Sequence, residues 1–308
     1  MKMSNTAFNN RVYGCVVVKA INANYNADFN GLPRRLKSDG SFYATDKSFK
    51  WLVRNYIKKN HESEKVLFTK QLNEKFEAID LDKAFDKLEQ KENALFTLLE
   101  CIDVRLFGAT FAAKGKNLSL HGVVQVTHAN DLYGKGKVYT DEILAPFTAI
   151  GSMSKATEAH YIHNFSINPK NLSSWKNVIK IEDDEKENPL KVLSQNDINI
   201  LKNAFNNAAT FYDSHSKSGV ENELSIYVTL DEKSILTLPN FAQFITFKKG
   251  ENGEKNSFDI SKLISYLSKE NISNEIASID IYSIDELTNV IYNNQNSKIQ
   301  KFDLSQIL

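Results

Sequence analysis

Residues 11–22 read RVYGCVVVKAIN, and this stretch decides the fold. It is short, rich in valine and apolar on both alternating faces, which is typical of a strand buried on both sides of a sheet. An amphipathic helix is predicted over residues 45–59, because apolar residues recur there at positions i, i+3, i+4, i+7 and i+8. These residues are Phe49, Leu52, Val53, Tyr56 and Ile57.

Four further elements follow along the chain. Residues 101–113 and 118–129, CIDVRLFGATFAA and LSLHGVVQVTHA, predict two strands that form an antiparallel hairpin across a polar turn. Residues 160–168, HYIHNFSIN, predict another strand. A helix is predicted to begin at Ser194 with a Ser-Gln-Asn-Asp capping pattern, and ELSIYVTL, residues 223–230, predicts a strand after it.

Without its insertions, the chain has the order strand, helix, two strands, helix, strand. We therefore predict an α+β protein with a modified RNA-recognition-motif core, the ferredoxin-like β-α-β-β-α-β order, carrying large insertions. Topology alone gives no function. The predicted parts are the first part of the core with an Asn-rich loop and a basic helix (1–56), a helical insertion (57–100), a core hairpin (101–129), a projecting loop or hairpin (130–157), and the rest of the core with the C-terminal elements (158–308).

Composition narrows the class of protein. The chain has 308 residues, 42% of them hydrophobic, which is enough for a large core. No apolar run approaches the roughly 18 residues of a membrane span, and the start, MKMSNTAFNN, lacks the apolar segment of a signal peptide. A cytoplasmic protein without membrane contact is expected. Cys15 and Cys101 lie in apolar stretches and predict small buried hydrophobes rather than a disulfide.

The charge is unevenly distributed. Lysine and arginine number 38, as do aspartate and glutamate, so the formal net charge is zero. Residues 31–59, however, carry eight cations against two anions, and residues 105–137 carry five against Asp131 alone. Two basic stretches on an otherwise acidic chain indicate a face that binds a polyanion.

The predicted helix at residues 45–59 supplies the clearest surface of this kind. At about 100° per residue, four cations fall within an arc of roughly 80° opposite the apolar stripe, with no anion among them. They are Lys47, Lys50, Arg54 and Lys58. An ordinary solvated face is the alternative, although such faces usually mix signs. The preceding loop, residues 23–40, has turn residues throughout and is expected to expose backbone N–H groups to phosphate.

Several blocks, in order, resemble the backbone subunit of the CRISPR Cascade surveillance complex, the Cas7 family, nearest its type I-B branch. The blocks are INANYNADFNGLPRR (21–35), TDKSFKWLVRNYI (45–57, with Phe49 at the family's leucine position), DVRLFGATFAA followed by LSLHGVVQVTHA (103–129), and HYIHNFSINP (160–169). The resemblance covers residues 11–169, with looser agreement to residue 230. The block at 103–129 is the most specific.

The resemblance implies an RNA-binding subunit that stacks in multiple copies along a guide RNA (crRNA), forming a helical ribonucleoprotein for antiviral defence. Bases between the gripped points stay free to pair with a target DNA strand. The implied partners are the guide RNA, the target DNA strand, neighbouring copies, other Cascade subunits and the effector helicase-nuclease. The implied activity is binding, without enzymatic activity, cofactor or metal. Specificity would then reside in guide pairing.

Individual residues follow from the matching blocks. Lys50 and Arg54 correspond to helix cations that contact RNA phosphates. Asn22, Asn24 and Arg34 fall in the loop that lies along the RNA, while Arg105, His121 and Gln125 fall in the hairpin blocks. Residues 151–156 lie where the family places a thumb, which makes residues 130–157 a thumb-like loop, Met153 a candidate wedge and Lys155 a candidate phosphate contact. The family's Gly-Arg-Lys-His pattern is replaced here by SKATEAH, residues 154–160.

Alternatives remain for single residues. Asp28 lies in the loop where type III relatives use an aspartate and a divalent metal to cleave target RNA; its other interpretation is a turn-former between Asn26 and Asn30. Arg105 is two residues from Asp103 and is equally consistent with a structural ion pair.

Two alternatives concern the whole protein. The histidines could suggest zinc, but in a strand His160 and His163 point to opposite faces, and no Cys-x-x-Cys pair is present. A structural scaffold that assembles without RNA is the remaining alternative to RNA binding.

Overall fold

The computed structural model describes residues 6–89, 93–113, 115–144, 150–173, 193–293 and 296–306. The strands are β1 (Val12–Ala23), β2 (Tyr43–Ala44), β3 (Gly108–Ala113), β4 (Lys116–His121), β5 (Val124–Val126), β6 (Ala129–Asp131), β7 (Val138–Leu144), β8 (Ile150–Ile167), β9 (Val220–Leu230), β10 (Thr246–Lys248), β11 (Asn256–Asp259), β12 (Ile276–Ser283), β13 (Thr288–Ile291) and β14 (Ile299–Asp303). The helices are α1 (Asp46–Asn60), α2 (Leu81–Asp86), α3 (Ala94–Leu99), α4 (Ile102–Phe107), α5 (Lys170–Ser173), α6 (Gln195–Phe211), α7 (Ser261–Leu267) and α8 (Glu270–Ser273).

Within these described ranges, nine strands form one sheet, in which β1 is central. Its order is β14-β12-β9-β1-β8-β6-β2, and β5 and β7 also pair with β8. β1 pairs antiparallel with β8 on one side and with β9 on the other. The valine-rich stretch thus forms the central strand that its pattern predicts, and the mixed α+β class is confirmed.

β8 is the longest strand and organises one side of the sheet. One of its edges pairs with β1, from Val12↔Ile167 to Ala23↔Ala156. Its other edge pairs in turn with β5, β6 and β7. From Ala156 back to Ile150 the strand continues beyond β1 and pairs with β7 alone, so β7 and β8 form a projecting hairpin. We call this the β7–β8 hairpin.

Both faces of the sheet are covered. Alternating residues of β1 enter two different cores: Val16 and Val18 pack with α1 and α6, whereas Cys15 and Val17 pack beneath the C-terminal elements. The second cover contains α7, α8, a short 3-10 turn at Phe241–Phe244 and a three-stranded sheet in the order β10-β11-β13. Burial on both faces explains why β1 is apolar at nearly every position.

α1 follows the prediction closely. Its five predicted core residues are all buried. Thr45 caps the helix by accepting a hydrogen bond from the backbone N–H of Ser48. Asn26 Oδ1 in turn accepts hydrogen bonds from the backbone N–H and the hydroxyl of Thr45, at 2.9 and 3.0 Å, and so fixes the loop after β1 to the helix start. α6 also begins as predicted, with a complete capping box between Ser194 and Asp197.

The predicted core hairpin is partly wrong. Ile102–Phe107 is the helix α4, and β3 and β4 pair as a separate two-stranded sheet rather than as strands of the main sheet. Gly108 ends α4 with φ of 73°, and a Cβ there would lie 2.2 Å from the carbonyl oxygen of Leu120. The sequence predicted a strand here because nearly every residue of α4 is buried, so its apolar residues do not recur with a helical period.

The insertion at residues 57–100 contains less helix than its pattern predicts. α1 ends at Asn60, and the described residues that follow contain only the short helices α2 and α3. The chain between α1 and α2 is held instead by side chains. Asp103 accepts hydrogen bonds from the backbone N–H groups of Leu67 and Phe68, both at 2.9 Å.

Arg105 is a structural residue in this fold. It is 1% exposed and binds Asp197 through two nitrogens, at 2.6 and 3.3 Å, and Glu64 at 3.1 Å. It also donates to the backbone carbonyls of Leu99 and Glu100. Burial disfavours its charge, but the two carboxylates outweigh that effect and raise the pKa of Arg105. Contact with RNA would require this network to open, which favours the structural alternative for Arg105.

The partner of Asp103 is Arg54, at 3.2 Å, and not Arg105. The pairing of Asp103 with Arg105 assumed a strand, in which residues two apart share a face. In the helix α4 they diverge by about 200°. Asp103 therefore faces α1 and the insertion, whereas Arg105 faces α6.

No helix in the described ranges is both long and apolar enough to cross a membrane.

Replacing Arg105 by methionine should lower the free energy of unfolding by about 3–5 kcal/mol, because it leaves Asp197 and Glu64 buried without their cation. Urea unfolding followed by circular dichroism measures the effect. Lys233→Met, an exposed site, is the control and should change the free energy by less than about 0.5 kcal/mol. A similarly small change at Arg105 would contradict the structural assignment.

Candidate nucleic-acid interface

A cleft of about 850 Å³ opens at the N-terminal end of α1. We call it the α1 cleft. Its lining combines cations, hydroxyls and aromatic rings, and contains no carboxylate among the described residues. The lining residues are Asn26, Phe29, Arg34, Thr45, Lys47, Ser48, Trp51, His128, Tyr212, Ser214, Ser216 and Lys217.

The loop after β1 forms the first wall of the cleft. Asp28 shapes it, because its Oδ1 accepts hydrogen bonds from the backbone N–H groups of Asn30 and Leu32, at 2.8 and 2.9 Å. This turn leaves the ring of Phe29 fully exposed. Arg34, at the loop's end, donates to the hydroxyl of Tyr43 at 3.4 Å.

The first turns of α1 form the second wall. Lys47 is exposed there. Trp51 lies one turn further along, is 37% exposed and meets the ring of Tyr212 edge-on, with 4.7 Å between ring centroids. An exposed tryptophan held by a second ring is a suitable platform for stacking a nucleobase.

The loop between α6 and β9 forms the third wall. Ile21 donates its backbone N–H to Gly219, and Asn24 donates its own to the carbonyl of Ser216, so the loop is fixed against the end of β1. Gly219 has φ of 100°, and a Cβ there would lie 2.3 Å from the carbonyl oxygen of Ile21. Glycine is therefore needed for the loop to return this close to β1.

Lys217 lies at the floor of the cleft. Its Nζ donates to the backbone carbonyl of Tyr25 at 2.6 Å and lies 3.4 Å from that of Asn24. Burial, which disfavours the charged ammonium, lowers the pKa of Lys217 to about 8. No ion pair joins Lys217 to a carboxylate within the described residues.

Beneath the cleft, buried polar groups are paired with one another. His163 lies between the hydroxyl of Tyr25 and the backbone carbonyl of Thr127, each 2.9 Å away, and stacks on Phe49. Burial lowers the pKa of His163 to about 4, so its ring is neutral near pH 7. It therefore contributes packing rather than charge.

The cationic arc of α1 is less uniform than predicted. Asp46 lies one helical turn before Lys50, which places it on the same face, and the two form an ion pair at 3.0 Å. Partial burial favours the protonated acid, but Lys50, with His128 at 3.4 Å, keeps the pKa of Asp46 below its usual value. Asp46 lies about 40° outside the predicted arc of cations, but it pairs with the cation at the edge of that arc.

Arg54 is also paired. It binds Asp103, and its guanidinium lies 5.0 Å from the ring centroid of Phe107. Burial lowers the pKa of Arg54, and Asp103 partly offsets that effect. Lys58, in the last turn of α1, is exposed and donates to the hydroxyl of Thr69. Beyond the cleft, each of the other three cations of the predicted arc therefore has a partner within the protein: Asp46 for Lys50, Asp103 for Arg54 and Thr69 for Lys58.

Two predicted residues join the cleft to the β7–β8 hairpin. Asn24 is buried and donates to the backbone carbonyls of Gly31 and Ser154, both at 3.0 Å. Asn22 is exposed, has φ of 48° and accepts a hydrogen bond from the hydroxyl of Tyr139 in β7. The end of β1 thus ties the first wall of the cleft to the hairpin.

The predicted thumb residues lie on that hairpin. Met153 and Lys155 are half-buried, pair with Asp141 and Tyr139 of β7, and share one face as alternate residues of a strand. Of the two predicted forms, a projecting loop or a hairpin, the described part is an antiparallel hairpin. Residues 145–149 lie outside the described residues.

The structure does not bring every predicted residue to the cleft. Only Arg34 and Lys47 line it. His121 is exposed at the end of β4. Gln125 is exposed on β5 and lines a smaller cavity of about 240 Å³ with Asn164 and Phe241, beneath the C-terminal cover on the opposite face of the sheet from α1.

Sequence reasoning missed several residues of the cleft, of which Trp51 and Lys217 matter most. Trp51 lies beside the apolar stripe of α1, where an aromatic residue reads as core. Lys217 lies in YDSHSKSG, residues 212–219, a polar loop whose composition gives no location. Only the pairing of β9 with β1 brings that loop beside the Asn-rich loop.

Together, the fold and the cleft define an α+β protein with a contact surface suited to the sugar-phosphate backbone of a single-stranded nucleic acid. The chain belongs to the family of CRISPR-associated protein Cas7, whose model matches residues 10–285.

Comparison with solved structures agrees on the fold. A chain of a "CRISPR RNA-guided surveillance complex" is 12% identical and has a TM-score of 0.51, with 97% of this chain and 93% of that chain covered. A chain of a "CRISPR RNA-guided surveillance complex, pre-nicking" is 13% identical, also with a TM-score of 0.51, over 95% and 96% of the two chains. Comparison with curated proteins gave no match.

Replacing Trp51 by alanine should weaken binding of a single-stranded oligoadenylate by about 1–3 kcal/mol, because the stacking platform of the cleft is lost. Fluorescence anisotropy of an end-labelled oligonucleotide measures the dissociation constant. Trp51→Phe keeps a ring at this position and should retain most of the affinity. Equal affinities of the wild type and Trp51→Ala would exclude stacking at this residue.

Proposed function

We propose that this chain is an RNA-binding backbone subunit of a type I CRISPR Cascade surveillance complex, and that it grips the guide RNA backbone in the α1 cleft. Family membership supports the assembly, and the α1 cleft supports the binding. The single observation that carries the binding proposal is the convergence of Arg34, Lys47 and Lys217, from three separate segments, on a cleft lined by exposed rings.

The core supports an RNA-recognition-type fold. β1, α1, the short strands β5 and β6, β8, α6 and β9 follow one another in the order β-α-β-β-α-β. Their order in the sheet, β9-β1-β8-β6, is antiparallel throughout. In this proposal β5 and β6 together count as the second strand of the core, and β8 is the third. The hairpin β3–β4 lies outside the core.

The RNA path differs from that of a simple RNA-recognition motif, in which bases stack on an open sheet face. Here helices cover one face of the sheet and the C-terminal elements cover the other. RNA is therefore directed to the edge, where β1 ends and α1 begins. Contact there falls on the backbone, which leaves base edges free for pairing with a target DNA strand.

From the cleft, the RNA continues along α1 past Lys50, Arg54 and Lys58. Phosphates compete with Asp46 and Asp103 for the first two cations. Asn22 and Asn24 line the turn toward the β7–β8 hairpin, where Met153 is the wedge residue and Lys155 a phosphate contact for RNA held by a neighbouring copy. His121 stays a predicted contact. Arg105 leaves the proposed path because it is buried, and Gln125 because it lines a cavity on the opposite face of the sheet from α1.

The proposed partners are the guide RNA, the target DNA strand, further copies of this chain, other Cascade subunits and an effector helicase-nuclease. The proposed activity is binding without catalysis. Asp28 supports this, because its carboxylate is engaged by two backbone N–H groups of its own turn. Within the described residues, no three histidine, cysteine or acidic side chains converge as a metal site.

The RNA-binding proposal predicts a change in salt dependence. Replacing Arg34 and Lys47 together by glutamine removes two phosphate contacts and should reduce the slope of log affinity against log salt by about 1.4, since each contact contributes about 0.7 on a single strand. Anisotropy titrations with a single-stranded RNA between about 50 and 200 mM salt measure the slope.

The matched control is Lys233→Gln with Lys262→Gln, which removes the same charge from exposed positions of the C-terminal cover. It should leave the slope unchanged. Equal slopes in all three proteins would place the RNA elsewhere. Assemblies that survive nuclease treatment without RNA would instead favour a scaffold.

The absence of catalysis has its own test. Asp28→Ala should loosen the turn at Asn30 and Leu32 and leave RNA intact during prolonged incubation with Mg²⁺ or Mn²⁺, as in the wild type. Gel electrophoresis of a labelled RNA bound to the assembled complex measures this. Metal-dependent cleavage by the wild type that disappears in Asp28→Ala would show the type III activity.

A further inference from the structure

Lys217 differs from the other largely buried cations near the α1 cleft. Lys50 and Arg54 each lie against a carboxylate. The ammonium of Lys217 is largely buried, and its only hydrogen bonds in the described part of the chain are to the backbone carbonyls of Asn24 and Tyr25. The Tyr25 ring, whose centroid is 6.0 Å from its Nζ, lies on one side.

A buried cation without a counter-ion is energetically unfavourable, because neither water nor a neighbouring charge compensates for its lost hydration. Carbonyl oxygens compensate in part. Lys217 lines the cleft together with the hydroxyl-bearing residues Ser214 and Ser216. A negatively charged group bound in the cleft can therefore supply the missing counter-charge.

We propose that the floor of the α1 cleft is a phosphodiester subsite, that Lys217 is its anchoring cation, and that binding of RNA phosphate there is coupled to protonation of Lys217. The inference rests on the proposed RNA-binding function and specifies how the cleft responds to pH. Arg34 and Lys47 guide the strand into the cleft, and Lys217 holds one phosphate at its floor.

Other charged and titratable groups lie around Lys217. Arg34, Lys47 and His128 also line the cleft, and none of them supplies a negative charge to Lys217. On its own loop, Asp213 and His215 are exposed, and water screens their effect. A phosphate diester bound in the cleft supplies the negative charge that favours protonation of Lys217.

The size of the effect follows from linkage. The pKa of Lys217 is lowered to about 8 in the empty cleft, against an ordinary value of 10.5. If a bound phosphate restores that ordinary value, protonation must accompany binding above pH 8. The affinity should then fall about tenfold between pH 7 and pH 9.

The test measures binding of a single-stranded oligocytidylate by anisotropy at pH 7, 8 and 9 and constant ionic strength. Cytosine carries no imino proton that titrates in this range, so the change reports the protein. The wild type should lose about tenfold in affinity from pH 7 to pH 9. Lys217→Arg keeps a cation at every pH and should bind with little pH dependence.

Two further variants assign the effect to Lys217. Lys217→Met should bind weakly and equally at each pH. Lys47→Met, the control, should also bind more weakly but should retain the tenfold loss. A flat profile for the wild type, or an unchanged loss in Lys217→Met, would overturn the subsite while leaving RNA binding intact. Failure of the wild type to bind RNA at any pH would overturn the proposed function itself.

A measurement without RNA tests the uncompensated charge separately. The unfolded chain holds its proton on Lys217 up to a higher pH than the folded chain, so the stability of the wild type should rise as pH increases from 8 toward 10. Melting temperatures across this range should therefore rise for the wild type relative to Lys217→Met. Parallel profiles would show that Lys217 is not desolvated in solution and would overturn the proposal.

Discussion

The antiparallel pairing of β1 with β8 is the constraint on which the rest of the structure depends. Their register runs from Val12↔Ile167 to Ala23↔Ala156 and places β1 at the middle of the sheet. Most of β1 is buried on both faces, and its one fully exposed residue, Asn22, lies at its C-terminal end. The chain leaves that end through the Asn-rich loop, and the loop from α6 returns to the same point. A cleft at the edge of the sheet is the geometric result.

Electrostatics divides the basic residues into two groups. Arg54 and Arg105 bind buried carboxylates of α4 and α6 and hold the insertion against the helices. Arg34, Lys47 and Lys217 lack such partners within the described residues and lie together on the cleft. The formal neutrality of the chain conceals this division. What distinguishes the two groups is the location of the nearest carboxylate, which depends on tertiary structure.

Sequence periodicity predicted the helices that bury one face. It failed for α4, which is buried on nearly every side. The core stripe of α1 and the capping box at Ser194 were both predicted, since each depends on neighbours within a few residues. α4 was not predicted, because Asp103 and Arg105 are as buried as the apolar residues Ile102, Val104 and Leu106 beside them. Of the cleft, Arg34 and Lys47 were predictable from charge. Trp51 and Lys217 were not, since their exposure and position depend on contacts distant in sequence.

The continuous strand β8 fixes how far the β7–β8 hairpin projects beyond β1. From Ala156 to Ile150 the strand extends the core ladder by six residues, about 20 Å at the usual rise of a strand, and in the described residues this stem contains no bend that could serve as a hinge. The number of residues in the hairpin strands therefore sets how far the hairpin projects. Whether that number is odd or even sets which face each side chain lies on. Shortening β7 and β8 by two residues each would shorten the hairpin by about 7 Å and keep Met153 on the same face of the hairpin. Shortening each strand by one residue would move Met153 to the opposite face. In a repeating assembly, the spacing between copies would then be encoded in an even number of residues.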